Sequence, residues 1–91
     1  MRWNGDRRPR LLVLGGSLGA LPLNKLLPEA VALLPSEQQP EVWHQCGKQH
    51  VEMTTAGYQS TGIAARVEPF IADMASAYAW ADLVVCRAGA L

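Results

Sequence analysis

The sequence predicts an α/β fold, a partial Rossmann-like, doubly wound parallel sheet in the order β-α-β-α-β-α-β. Three observations lead there. The apolar run RLLVL at residues 10–14 ends in Gly15-Gly16. Short apolar runs then alternate with segments of helical period, as in sheets with helices on both faces and right-handed crossovers. Two loops of small residues, GGSLGA at 15–20 and RAGAL at 87–91, follow the first and fourth runs.

The first run is continuous rather than alternating, which suits a strand buried on both faces. Leu23, Leu26, Leu27, Ala30, Val31 and Leu34 then recur at helical spacing, an apolar stripe for the first helix. Pro22 falls where an early helical proline is tolerated, whereas Pro28 is expected to kink the helix or shift its start. PSEQQP at 35–40 is a loop by composition. EVWHQC at 41–46 reads as the second strand, closed by Gly47. Residues 48–58 form a weaker helix, with Gly57 and Gly62 bracketing a loop. IAARV at 63–67 is the third strand. The alanine-rich segment 72–81 places Met74, Ala77, Tyr78 and Ala81 on one helical face, with Asp73 as its cap, and DLVVC at 82–86 is the fourth strand.

Four strands and three helices make about half of a doubly wound domain. The expected organisation is a tail or linker over 1–9 and a truncated Rossmann-like domain over 10–91. Arg2, Arg7, Arg8 and Arg10 around Asp6 read as a solvated lead-in, with a phosphate contact as the alternative. At 91 residues, 49% hydrophobic and with zero formal net charge, the chain offers no electrostatic argument for nucleic acid or an anionic membrane. Its apolar stretches fall well short of the roughly 20 residues of a membrane span. No secretory signal is visible. Cys46 and Cys86 are too few for a disulfide framework and fit reduced thiols in a cytoplasmic protein. The edge after the fourth strand is an open pairing site through which the chain is expected to self-associate.

In an open α/β sheet, ligands bind beyond the carboxyl ends of the strands. The loop at 15–20 lies between a buried strand and a helix N-terminus, where unpaired N–H groups and the helix dipole favour an anion. An ordinary tight turn with Ser17 as a helix cap fits the same residues. A dinucleotide fingerprint fails in both frames: Leu14 stands where the first needs glycine, and Ser17 and Ala20 where the second does. No acid closes the second strand, as a ribose contact would require, and the Gly-Lys-Ser/Thr of a phosphate-binding P-loop is absent. Other chemistry is sparse. His44, Cys46 and His50 lack zinc-ligand spacing. Cys86 reads as a buried strand-end thiol, and Trp43, Tyr78 and Trp80 as core or rim. No carboxylate pair is placed for acid–base work, and no cofactor is implied.

The motifs LGGSLGA, LPEAVALL, VWHQCGK and VEPFIADMASAYAWADLVVCRAGAL, in this order, resemble the C-terminal domain of the peptidoglycan N-acetylglucosaminyltransferases of glycosyltransferase family 28. The resemblance covers residues 10–91. It implies the first half of the donor-binding domain of a two-domain GT-B enzyme, peripheral on the cytoplasmic face of the inner membrane. Such an enzyme transfers N-acetylglucosamine from UDP-N-acetylglucosamine to lipid I, giving lipid II, and binds the lipid acceptor through an N-terminal domain not represented here. Carried over by residue, Ser17 would contact the donor near its phosphates and ribose. Ile71 would line the uracil pocket through its backbone, and Ala90 and Leu91 would open the diphosphate loop. Gly16, Leu18, Gly19, Met74 and Arg87 would flank them. Leu18 departs from the glutamine common at that position, and the family's Thr and Glu after GAL lie past Leu91. The resemblance therefore implies a chain that holds part of the donor site and is inactive alone. The alternatives are a non-catalytic α/β interaction module and the donor domain of another UDP-sugar transferase.

Overall fold

A computed structural model describes Gly5, residues 7–15 and residues 21–86. The described elements are β1 (Arg10–Leu14), α1 (Leu21–Ala32), a short 3-10 turn (Ser36–Gln38), β2 (Glu41–Gln45), α2 (Val51–Thr61), β3 (Ala65–Glu68), α3 (Met74–Trp80) and β4 (Leu83–Cys86). The strands form one sheet in the order β3-β2-β1-β4, and every pairing is parallel. This is the expected α/β architecture, and all seven predicted elements are present.

Strand β1 lies inside the sheet, and Leu11–Leu14 are all buried. Because strand side chains alternate in direction, β1 feeds two cores. Leu11 and Val13 join Val31 of α1, Val42 of β2, Tyr58 of α2 and Ile63. Leu12 and Leu14 join Trp43, Ile71, Ala77 of α3 and Ala81 on the opposite face. Helices α1 and α2 thus cover one face and α3 the other.

Four boundaries move from their expected positions. Residues 48–50 form a turn rather than the start of α2: Gly47 takes φ 88°, and the His50 N–H donates to the Gly47 carbonyl at 3.3 Å. Helix α2 then runs through Gly57 and ends at Gly62, whose left-handed φ of 74° suits a helix C-cap. Gly57 does not open a loop; it is a point of close helix contact. A Cβ there would sit 3.2 Å from Cγ and 3.4 Å from Cβ of Pro28, which itself lies buried inside α1 without ending it. The third strand begins two residues late, because Ile63 is spent in the core before pairing starts. Helix α3 begins at Met74, where the Asp73 carboxylate accepts the Ser76 N–H at 3.1 Å, the expected cap.

The helical faces also differ from expectation. On α1 Asn24, Pro28 and Val31 are buried, and Leu23 and Leu27 of the predicted stripe pack against the core, while Leu26 is exposed, as is Leu34 beyond the helix end. On α3 Ala77 is buried and Met74 and Trp80 pack beside it, but Tyr78 is exposed. Trp80 meets Trp43 edge-on, with ring centroids 5.6 Å apart. Cys86 is exposed rather than buried, since β4 is the outer strand of the described sheet and has a neighbour on one side only.

The arginine lead-in makes defined contacts. Arg7 grips Asp82 with two hydrogen bonds, at 2.6 and 3.1 Å, and the Arg10 N–H donates to the same carboxylate at 2.8 Å. The Arg7 guanidinium holds the Asp82 carboxyl down at about 2, below its ordinary value. Arg8 donates to the carbonyls of Ser36 and Gln39. The Asp82 bonds fix the amino-terminal ends of β1 and β4 to each other, and those of Arg8 tie the segment before β1 to the 36–39 turn.

If Pro28 and Gly57 set the spacing of α1 and α2, Gly57→Val should force the helices apart and cost about 1–3 kcal/mol. Gln59→Ala, on the exposed side of the same helix, should leave the thermal midpoint within a degree or two. Equal effects from the two substitutions in thermal denaturation would refute the close-contact reading.

Candidate functional site

The strands end together at Leu14, Gln45, Glu68 and Cys86. Successive elements step outward from β1 to β2 to β3, and the chain then returns to place β4 on the other side of β1. Leu14 and Cys86 are register partners, so the chain leaves β1 and β4 side by side at the carboxyl edge. This is the topological switch point, the usual ligand crevice of doubly wound sheets. Ser17, Gly16, Leu18, Gly19, Arg87, Ala90 and Leu91 of the expected site lie outside the described residues. Gly15, Leu21 and Cys86, which border them, are described.

Backbone bonds extend the sheet past its strand ends. The Gly15 N–H donates to the Gln45 carbonyl at 3.1 Å, Cys46 to Glu68 at 2.9 Å, and Gly47 to Pro69 at 3.0 Å. Gln45 points to the α3 side, where its Oε1 accepts the Ile71 N–H at 2.9 Å. Ile71 is therefore held at the carboxyl edge with its side chain buried against Leu12, Leu14 and Trp43. It borders a cleft of about 380 Å³ whose other walls include Trp43, Arg66, Glu68 and Asp73. Arg66 lies over the Trp43 ring, 4.2 Å from its centroid, and pairs with Glu68 at 3.1 Å. The Trp43 indole N–H also donates to Glu68. Met74 is half-buried on α3 and packs into the same core as Ile71.

On the opposite face the structure reveals a network that sequence reasoning missed. His44 is fully buried between α1 and α2. Its Nδ1 lies 2.6 Å from the Tyr58 hydroxyl and its Nε2 2.8 Å from Asn24 Oδ1, while Asn24 Nδ2 donates to the Cys46 carbonyl at 3.0 Å. The available signal was polarity on a buried face: His44 follows Val42 on the inward side of β2, and Asn24 shares a helical stripe with Pro28 and Val31. Such groups need partners when buried. Burial lowers the His44 pKa to about 4 and raises that of the Tyr58 hydroxyl. Burial also raises the Cys46 thiol, with the Thr54 hydroxyl acting the other way. Among the described residues no group of three or more His, Cys, Asp or Glu is placed to hold a metal ion, and no helix is long and apolar enough to cross a membrane.

A parallel sheet whose chain leaves two neighbouring strands at one carboxyl edge places the domain in the Rossmann-like class. Residues 10–91 match the glycosyltransferase family 28 C-terminal domain, and the chain belongs to that family. It is 71% identical over 85 residues to the UDP-N-acetylglucosamine--N-acetylmuramyl-(pentapeptide) pyrophosphoryl-undecaprenol N-acetylglucosamine transferase of Stutzerimonas stutzeri, covering 93% of this chain and 24% of that protein. It is 68% identical over 87 residues to the enzyme of the same name from Pseudomonas putida strain KT2440, covering 96% and 24%. The crystal structure of Acinetobacter baumannii MurG superposes with a TM-score of 0.86 at 46% identity, over 99% of this chain and 27% of that one. The chain thus spans about a quarter of the length of these relatives.

The folded state holds His44 neutral, with a pKa of about 4 against an ordinary value of 6.5. The unfolded chain therefore takes up the proton first. Stability should be full above pH 6.5 and fall by about 3 kcal/mol as the pH drops toward 4. Thermal melts from pH 7.5 to 4 check this. His44→Gln should flatten that slope, and an unchanged slope would contradict the assignment.

Proposed function

We propose that this chain forms one wall of the UDP-N-acetylglucosamine site of an N-acetylglucosaminyltransferase that acts on a lipid-linked muramoyl-pentapeptide in peptidoglycan synthesis. The observation that carries the reading is the adjacency of β1 and β4. GGSLGA and RAGAL follow directly on their register-paired ends, so both loops start from one crevice. Helix α1 has no acidic residue in its first turn. Its N-terminal end is thus suited to a diphosphate.

In this assignment Ser17, with Gly16, Leu18 and Gly19 around it, meets the donor phosphates and ribose, and Ala90 and Leu91, preceded by Arg87, open the diphosphate loop. The Ile71 N–H is committed to Gln45, so the Ile71 carbonyl is assigned to the base, where it would accept the uracil N3–H. Met74 supports Ile71 from behind through their shared core. In the reaction the muramoyl 4-hydroxyl attacks the anomeric carbon and UDP departs. Fixed dipoles at the diphosphate stabilise the leaving charge, usually the largest catalytic contribution. The acceptor and the membrane surface belong to the remainder of a longer enzyme, so the 91-residue chain alone is expected to bind donor without transferring sugar.

A second reading, a module that keeps the fold but not the ligand, draws on the β4 edge, where Leu83 and Val84 are exposed. Such an edge can pair with further chain or a second copy. Titrating UDP-N-acetylglucosamine while following tryptophan fluorescence separates the two, since Trp43 shares the cleft with Ile71. Saturable binding, weakened about tenfold or more by Ser17→Ala through loss of a hydrogen bond to a charged group, is the expected result. A folded protein that gives no saturable change would favour the module.

A further inference from the structure

We propose that His44 is a positioning residue for the nucleotide-sugar site, acting through Asn24 to set the rotation of α1, whose N-terminal end borders that site; the proposal rests on the donor-site reading above. The hydrogen bonds run in one direction. Asn24 Nδ2 donates to the Cys46 carbonyl, which leaves Oδ1 as the atom facing His44. An amide oxygen only accepts, so His44 Nε2 carries the proton, and Nδ1 in turn accepts from the Tyr58 hydroxyl. The relay passes from α2 through β2 to α1 and back to the carboxyl end of β2. Tyr58, His44 and Asn24 are each at most 2% exposed.

Its placement separates it from ordinary core filling. Asn24 is the fourth residue of α1, in the turn next to residues 15–20, and Cys46 directly follows β2 at the carboxyl edge. An apolar side chain at position 24 would tolerate a range of helix rotations, whereas Asn24 satisfies both His44 and Cys46 in one. That setting keeps Leu23, Leu27 and Val31 against the core beside Asn24 and turns Leu26 out to solvent, so the polar contact and the apolar stripe fix one rotation together. Buried polar networks that are fully satisfied act in this way, specifying one arrangement where apolar packing would permit several.

The test compares UDP-N-acetylglucosamine affinity by calorimetry and backbone amide exchange in the wild-type protein and in Asn24→Ala, His44→Leu, His44→Gln and Ile63→Val. Ile63→Val is the stability control, since it trims the same core without removing any side-chain hydrogen bond of the relay. The expected result is about tenfold weaker donor binding for Asn24→Ala and His44→Leu, as for a site whose supporting contacts are loosened. In Asn24→Ala exchange should quicken in residues 21–32 but not in 51–61, whereas His44→Leu, which also strips Tyr58 of its partner, should quicken both. His44→Gln, which keeps a donor at the Nε2 position, should recover most of the affinity and carries the test if Asn24→Ala does not fold. Ile63→Val should bind as wild type does. Wild-type affinity in Asn24→Ala or His44→Leu would overturn the proposal, as would loss of affinity in Ile63→Val in step with its melting temperature. Absence of binding by the folded wild-type protein would instead remove the donor-site reading, and this proposal with it.

Discussion

Strand β1 is hydrogen-bonded along both edges and buried on both faces, and nearly everything else in the molecule is arranged around it. Its parallel register with β2 and β4 aligns three carboxyl ends, at Leu14, Gln45 and Cys86. Its alternating side chains divide the apolar residues into two cores, one under α1 and α2 and the other under α3. A slip of one residue would exchange the two faces and bury the wrong set. The same strand therefore determines which helices lie where and where the chain exits toward the proposed ligand.

Polar groups pin the two ends of this sheet in different ways. At the amino end Asp82 accepts from Arg7 and from the Arg10 backbone, a charged clamp whose carboxylate is almost wholly buried. Its depressed pKa means that it stabilises the fold above about pH 4 and loses that effect as the pH falls toward 2. Near the carboxyl end the tie is a neutral relay through His44, which weakens on acidification at higher pH. The neutral end is also the end with glycine-rich exits, where a bound diphosphate would supply the charge.

Much of this was readable from the residues. The buried character of β1 followed from an unbroken apolar run, the parallel sheet from alternation, and the cap at Asp73 from its position before an alanine-rich segment. What escaped the sequence shares one cause: pairings between distant residues. Gly57 reads as a breaker until Pro28 is seen against it. Leu26 reads as core until Asn24 is seen bonded to His44. Arg7 reads as solvated tail, although its partner Asp82 is 75 residues away. For the site, Ile71, expected to line a uracil pocket through its backbone, lies at the carboxyl edge, where Gln45, which takes its N–H, carries no local signal. The loop residues Ser17, Ala90 and Leu91 rest on motif resemblance together with the described strand ends that border them.

The carboxyl edge at the β1–β4 switch point is the proposed seat of a nucleotide diphosphate. The most direct measurement is an amide chemical-shift map of the isotopically labelled protein titrated with UDP. Saturable shifts are expected at Gly15, Gln45 to Gly47, Ile71 to Met74 and Cys86, with little change at Arg10, Glu41 and Ala65 on the opposite edge. Shifts concentrated at that amino edge, or none at saturating UDP, would contradict it.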